Sequence, residues 1–343
     1  MTASYKVLIT TSGVGQRLGE LTLYTNKSLV RVGRKPAIAY IIEQYPEDVP
    51  FVITVGYFGN LVREFIEMAY PQQNIEFVEV SPFKGKGSSL GYSMLCAKSH
   101  LQQPFIYHAC DTLVEQKIPE PDTNWVGGYK GTDSTQYASY KVQKDGIRAY
   151  NEKGAMSFDY LHIGLIGIKD YQIFWNTLAE LYDANPENTE LNDCKVIEAM
   201  LKECNFKAIP FKVWFDIGNA GALSYARTHI RDAFDNLDKT DESIFLFKNF
   251  GIKFFSNPNL IKARCERAAI LKGLVPPMER ITTHFYKYTY IQGDTYSDVV
   301  TPINFQFFLE WANAQLWKPV AEVSDEEFLT VCHKFYYQKT YDR

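Results

Sequence analysis

The 343-residue sequence predicts an α/β fold: a mixed, mostly parallel sheet sandwiched by helices, followed by a small α+β domain. Three observations predict it. Short apolar runs alternate with amphipathic segments through the first part of the chain, the pattern of a sheet covered by helices. The first of these runs ends in a glycine turn. A polar stretch, NLDKTDE at 236–242, then interrupts the pattern and divides residues 1–238 from residues 244–343.

The elements follow in order. Tyr5–Thr10 is a buried-type strand, and the turn Gly13–Gly15 follows it. Pro36–Gln44 has helical spacing with proline at its start. Pro50–Gly56 is a strand, Asn60–Tyr70 a helix, Ile75–Val80 a strand and Gly87–Ser99 a helix after a second glycine-rich turn. Phe105–Ala109 is a strand leading to Asp111, and further strands fall around Trp125–Tyr129, Tyr137–Gln143 and Ile163–Ile168. Helices at Tyr171–Leu181 and Asp193–Glu203 and a strand near Ala208–Val213 complete the first domain. Beyond the polar break come β-like runs at Ile244–Phe247 and Gly251–Phe255, a helix at Leu260–Lys272 and a strand at Phe285–Gln292. Two helical stretches, Asn304–Leu316 and Asp325–Lys334, follow.

Composition narrows the function. Hydrophobic residues make up 46% of the chain, enough for a sizeable core, and the net charge of −4 offers no basic field for nucleic acid or an anionic membrane. Any phosphate chemistry must therefore rest on a few placed cations and backbone amides. The six cysteines show no paired spacing, which predicts reduced thiols in a cytoplasmic protein. No leader segment and no apolar run of membrane-spanning length are expected.

The densest chemistry lies in TSGVGQRL, Thr11–Leu18, directly after the first strand. Glycines there let backbone N–H groups approach phosphates closely, and the Arg17 guanidinium suits phosphate oxygens. Lys27 follows in TNKSL. The turn lacks the third glycine of a dinucleotide fingerprint and the GK[ST] of a P-loop. Asp111 stands at the carboxyl end of a strand, where ligands of open α/β sheets bind and where a carboxylate suits Mg²⁺. Alone, it reads better as a cap on the next turn.

The combination of strand, SGxGxRL, NKSL and GRKP resembles the signature of the sugar-1-phosphate nucleotidyltransferase superfamily, which includes the phosphocholine cytidylyltransferase-like enzymes. The resemblance spans about residues 5–230 and implies the corresponding Rossmann-like fold. It implies that Ser12, Gly13 and Gly15 wrap the nucleotide while Arg17 and Lys27 neutralise its phosphates in catalysis. Asn26 stands where the family usually has proline, and Thr11 and Ser12 replace its alanine-glycine run. WFDIGN, Trp214–Asn219, resembles the family's second acidic motif, which implies that Asp111 and Asp216 hold Mg²⁺ between them. PFKGKGSS, Pro82–Ser89, falls where the family reads the base, which assigns Gly85, Gly87, Ser88 and Ser89 to nucleotide binding. Glu152 and Lys153, followed by the strand HIGLIGI that contains Gly164, resemble the acceptor-binding elements; otherwise the pair is a solvated turn. His108 and His162 read as structural.

GIKFF, Gly251–Phe255, followed by Glu266 on a helix and by FYKYTYIQG, resembles the N-lobe of choline-kinase and aminoglycoside-phosphotransferase-like kinases. No HxD catalytic loop follows, so the resemblance implies at most an N-lobe-like domain at 244–343, lacking the catalytic C-lobe.

Together the resemblances imply an Mg²⁺-dependent nucleotidyltransferase that joins an NTP, with a pyrimidine favoured, to a sugar 1-phosphate or small phospho-alcohol. It would release pyrophosphate and serve surface polysaccharide biosynthesis, with homo-oligomerisation left open. A catalytically silent regulatory protein that binds nucleotide sugars, and the N-terminal part of a bifunctional nucleotidyltransferase/kinase, are the alternatives.

Overall fold

The computed structural model describes residues 4–144, 146–230, 239–294, 296–318 and 322–341. In chain order its first strands are β1 (Lys6–Thr10), β2 (Phe51–Val55), β3 (Ile75–Glu79), β4 (Phe105–Ala109), β5 (Thr112–Val114) and β6 (Trp125–Tyr129). β7 (Ser139–Gln143), β8 (Gly146–Asn151), β9 (Tyr160–Ile168), β10 (Lys207–Phe211) and β11 (Trp214–Asp216) follow. Among the described residues, nine of them form one sheet in the order β3-β2-β1-β4-β9-β6-β10-β8-β7. β1 to β4 are mutually parallel, β9 runs antiparallel between β4 and β6, and β10 returns parallel to β6. The mixed α/β expectation holds, with parallel pairing confined to β3-β2-β1-β4 and β6-β10 and the other pairings antiparallel. β5 and β11 pair separately, antiparallel, with Asp216 opposite Thr112.

Side-chain alternation on the central strands feeds two apolar layers. Val7, Ile9, Phe51 and Ile53 pack on one face with residues of α1 (Ala37–Ile42) and α2 (Gly59–Ala69). Leu8, Val52, Phe105 and Tyr107 pack on the other face with residues of α3 (Leu90–Cys96), α4 (Tyr171–Ala184) and α5 (Asp193–Met200). There Trp175 stacks on Phe105 at 5.1 Å and donates its indole N–H to the Leu101 carbonyl at 2.8 Å, so its polar handle is satisfied. α6 (Ala220–His229) follows β11 and adds Leu223 and Ala226 to the first layer. Helix starts have identifiable caps: Ser89 accepts from Tyr92 N–H, Asn192 from Lys195 N–H and Asn219 from Ala222 N–H.

Of the polar stretch 236–242 read as a domain boundary, 236–238 lie outside the described residues. From its end onward, β12 (Glu242–Leu246), β13 (Phe250–Phe255), β14 (Met278–Ile281) and β15 (Phe285–Thr289) form an antiparallel sheet of order β12-β13-β15-β14, with the helix α7 (Pro258–Ile270) between β13 and β14 in the chain. Phe245, Ile252, Phe254 and Phe285 belong to the same apolar cluster as α2 and β1. Phe65 on α2 meets Phe245 at 5.3 Å and Phe285 at 6.2 Å. The compact units are therefore 1–271 with 276–290, and 272–275 with 291–343, rather than 1–238 and 244–343. The reason is physical: aromatic residues of the second sheet pack on α2, Phe65 meeting Phe245, Phe247 and Phe285.

Lys253 pairs across strands with Glu242 at 2.9 Å and lies over the Phe255 ring, while Glu266 stands exposed on α7. The strand-lysine to helix-glutamate pairing of a kinase lobe is not what engages Lys253. The second unit contains α8 (Tyr296–Val299), α9 (Pro302–Trp311) and α10 (Asp325–Cys332), the last opened by a Ser324–Glu327 capping box. Among the described residues no helix is long and apolar enough to cross a membrane, and the six cysteines are free thiols.

Phe65→Ala should destabilise the chain by about 3–5 kcal/mol, because it opens a cavity between α2 and both β12 and β15. Urea unfolding checks this; a loss below about 1 kcal/mol would mean that the second sheet does not share the first core.

Candidate active site

The site begins where β1 ends. The chain leaves the sheet at Thr11, whose hydroxyl donates to the Thr54 carbonyl at 2.7 Å. It then turns through Gly15, which holds φ 72°. A Cβ on Gly15 would lie 2.9 Å from Lys27 Cβ, so glycine is required both by the backbone angle and by the approach of the lysine stem. A short 3₁₀ segment at Gln16–Thr22 carries Arg17, and another at Lys27–Leu29 carries Lys27.

Asn26 fixes their relation. Fully buried, its amide donates to the Thr11 carbonyl at 2.8 Å and to the Tyr57 carbonyl at 2.6 Å, while its oxygen accepts from Ser28 N–H and Ser28 Oγ. Every donor and acceptor function of the side chain is thus used. The asparagine in place of proline ties the connection after β1 to the one after β2 by hydrogen bonds, and it carries Lys27 as the next residue.

Asp111 and Asp216 reach the same place through backbone pairing. β4 turns into β5, β5 pairs with β11, and Ile217 N–H donates to the Asp111 carbonyl at 3.0 Å. Gly218 stands at the meeting point. A Cβ there would lie 3.0 Å from Asp216 Oδ1, 3.1 Å from an Arg17 terminal nitrogen and 3.1 Å from Asp111 Oδ2. Lys27 Nζ forms an ion pair with that same Asp111 oxygen at 3.2 Å. Four of the sequence-predicted residues, Arg17, Lys27, Asp111 and Asp216, therefore converge.

The two acids differ in environment. Burial pushes the Asp111 carboxyl up, but the Lys27 ammonium, with Arg17 behind it, outweighs this and holds it below the ordinary range. Burial and then the Asp111 charge raise Asp216; bonds from Gly218 N–H at 2.8 Å and Tyr137 hydroxyl at 2.8 Å offset this only in part. The Tyr137 ring meets Trp214 edge-on at 5.1 Å, which fixes the phenol. An all-oxygen carboxylate pair beside cations that can face phosphates fits Mg²⁺, which takes one or two carboxylates plus phosphate oxygens and water.

The other expected residues are placed as follows. The Ser12 hydroxyl is turned inward to Ser93 Oγ at 2.8 Å, leaving only backbone for a ligand, and Gly13 has open space above its Cα. Gly85 and Gly87 hold positive φ in the 82–89 turn. Within it, Ser88 Oγ donates to the Gly85 carbonyl and Ser89 is consumed as the α3 cap. Gly164 on β9, with φ 69°, packs beneath Ala109, two residues before Asp111. Glu152 and Lys153 are exposed and line a cavity of about 650 Å³ with Asn192 and Lys195; neither aspartate lines it. His108 is structural, as expected: Tyr45 and the Thr112 carbonyl hold its two nitrogens, and burial pushes it down to about 4.

Tyr137, Gly218 and the tethering role of Asn26 were not foreseen. Gly218 lies inside the WFDIGN run and was within reach of reading; Tyr137 is brought to Asp216 from 79 residues away by the β7 approach, with no local signal.

Tyr137→Phe removes a bond that favours the charged Asp216, so the Asp216 carboxyl should titrate at higher pH than in the parent protein. NMR titration of that carboxyl reads the shift directly. A midpoint that stays in place or falls would show that the phenol does not support the carboxylate.

No protein-family model matches the sequence, and a search of curated proteins returns no match. Solved structures do match. The CTP:phosphocholine cytidylyltransferase from Streptococcus pneumoniae aligns over 65% of this chain and 97% of its own, with a TM-score of 0.56 and 18% identity. UDP-glucose pyrophosphorylase complexed with UDP-glucose aligns over 65% and 97%, with 0.55 and 17%. The inositol-1-phosphate CTP transferase from T. maritima aligns over 67% and 99%, with 0.52 and 14%. These comparisons give no support for a kinase lobe. At these identities the likeness is one of fold: the larger part of this chain has the fold of those nucleotidyltransferases.

Proposed function

We propose that the chain is a nucleotidyltransferase that condenses an NTP with a sugar 1-phosphate or small phospho-alcohol and releases pyrophosphate. The observation that carries the reading is the convergence of Arg17, Lys27, Asp111 and Asp216 around Gly218, at the carboxyl ends of β1 and β4. The fold shared with the three enzymes above supports the same class.

In this reading an acceptor phosphate oxygen attacks the α-phosphorus, the bond to the bridging oxygen of the β-phosphate breaks, and pyrophosphate departs with the electron pair. The nucleophile is already an anion, so no general base is required. The backbone N–H groups of the Gly13–Gly15 turn face the triphosphate. Arg17 and Lys27 offset its charge, Lys27 trading part of its contact with Asp111 for phosphate oxygens. Asp111 and Asp216 would hold Mg²⁺, which supplies charge neutralisation at the α-phosphate when bound. Tyr137 and Gly218 N–H keep the Asp216 carboxylate oriented.

The 82–89 turn reads the base mainly through backbone groups, since both serine hydroxyls are engaged. Val55–Tyr57 and Ser88–Leu90 resemble the cytidylyltransferase branch, and on that resemblance a pyrimidine nucleotide is favoured. Glu152 and Lys153 serve the acceptor, with Lys195, whose ammonium lies 4.0 Å from Glu152, as an added cation. Use of the activated product in surface polysaccharide biosynthesis belongs to the same proposal. The second sheet is read as a structural buttress for α2.

A screen of the four NTPs against phosphorylated acceptors, read by pyrophosphate release, tests the activity. Asp111→Asn and Asp216→Asn should each lower kcat on the order of a hundredfold or more, and Lys153→Ala should raise the acceptor KM with the NTP KM unchanged. Turnover undiminished in excess chelator, or an effect of Lys153→Ala confined to the NTP, would contradict these roles.

A further inference from the structure

Beneath the Glu152–Lys153 turn, three donors of different chemistry meet. His162 projects from β9, and Asp193 and Cys194 occupy the first turn of α5. One ligand atom from each lies within 4.8 Å of the other two. His162 is 9% and Asp193 4% exposed, and Cys194 is half-buried at the wall of the 650 Å³ cavity. His162 Nε2 stands 2.7 Å from Asp193 Oδ2, and its Nδ1 stands 3.1 Å from the Tyr150 hydroxyl. A buried His–Asp pair alone would need no thiol. Here the helix start delivers the thiol and the carboxylate to the same imidazole, and the thiol opens onto solvent-connected space.

We propose that His162, Asp193 and Cys194 form a binding site for a borderline-soft divalent cation, with Zn²⁺ the best match, whose remaining coordination position faces the cavity. Nitrogen, carboxylate and thiolate are the zinc donor set, whereas Mg²⁺ does not take thiolate; the site is thereby distinct from the Asp111–Asp216 pair. Neutral imidazole, carboxylate and thiolate together carry two negative charges, which a divalent ion balances in a buried place. Tyr150 supplies the outer hydrogen bond that fixes the imidazole tautomer. Metal bonds of about 2.0–2.3 Å place tetrahedral ligand atoms roughly 3.3–3.8 Å apart, within the observed spacing, with the His–Asp contact opening by about half an ångström. On binding, Cys194 releases its proton to solvent and its sulfur lone pair forms the metal bond. The cavity supplies the entry path.

The test uses the full chain after chelator treatment and buffer exchange, with Zn²⁺ alone added against a chromophoric chelator, and with Co²⁺ as a spectroscopic probe. One equivalent of Zn²⁺ should bind, and Co²⁺ should give a thiolate charge-transfer band. Cys194→Ser should remove the band and weaken Zn²⁺ on the order of a hundredfold, with circular dichroism unchanged, while Cys96→Ser should keep both. His162→Asn, if folded, should also lower Zn²⁺ affinity. Absence of stoichiometric Zn²⁺ binding, or a band and affinity that survive in Cys194→Ser, would overturn the site and leave a plain His–Asp contact. Neither outcome depends on nucleotidyl transfer, so failure here and failure of that activity are separately visible.

Discussion

Two carboxylates held around one glycine set the terms for the rest of this structure. Asp111 and Asp216 each come within about 3.1 Å of the point that a Gly218 side chain would occupy, in a place where burial disfavours both charges. Like charges so placed repel, and in a partly desolvated cleft the repulsion is not screened as it is in water. The chain responds with Lys27 on Asp111, Arg17 beside both, and a phenol and an amide on Asp216. These partners stabilise the pair in the absence of ligand, and the cations among them are also what a polyphosphate would need.

The fold can be read as the means of holding that arrangement. Parallel β1 and β4 bring the glycine turn and Asp111 side by side, since Thr10 is in register with Ala109. The short β5–β11 pairing sets Asp216 against Thr112 and so fixes the second acid relative to the first. Asn26 binds the loops after β1 and β2 through its bonds to the Thr11 and Tyr57 carbonyls, two further bonds from Ser28 fix its own turn, and its neighbour Lys27 is thereby aimed at Asp111. Rigid elements under precise side chains are what a positioning mechanism requires, because small misplacements are costly.

Much of this was legible in the sequence, and the rest was not for identifiable reasons. The long apolar runs gave β1, β2, β4, α2 and α4 within a few residues, because burial on a sheet imposes a strong period. β5, β8, β11 and β14 are short or half-exposed and left no comparable signal. Arg17, Lys27, Asp111 and Asp216 were readable because each sits in a short motif beside a strand end. Tyr137 was not, since its partner is created by tertiary pairing. The break at 236–242 misled for a related reason: polarity marks an exposed connection, but it does not tell whether the aromatic residues beyond it, such as Phe245 and Phe285, return to the same core.

The central claim is that Asp111 and Asp216 together form a divalent-cation site that faces nucleotide phosphates. Mn²⁺, a paramagnetic stand-in for Mg²⁺, tests it most directly when titrated into the full chain with each NTP and read by electron paramagnetic resonance and by phosphorus line broadening. The account predicts one tight Mn²⁺ per chain in the presence of the preferred nucleotide, broadened phosphate signals, and loss of both in the Asp111→Asn/Asp216→Asn double variant. Equal Mn²⁺ and nucleotide binding by the parent and the double variant would contradict it.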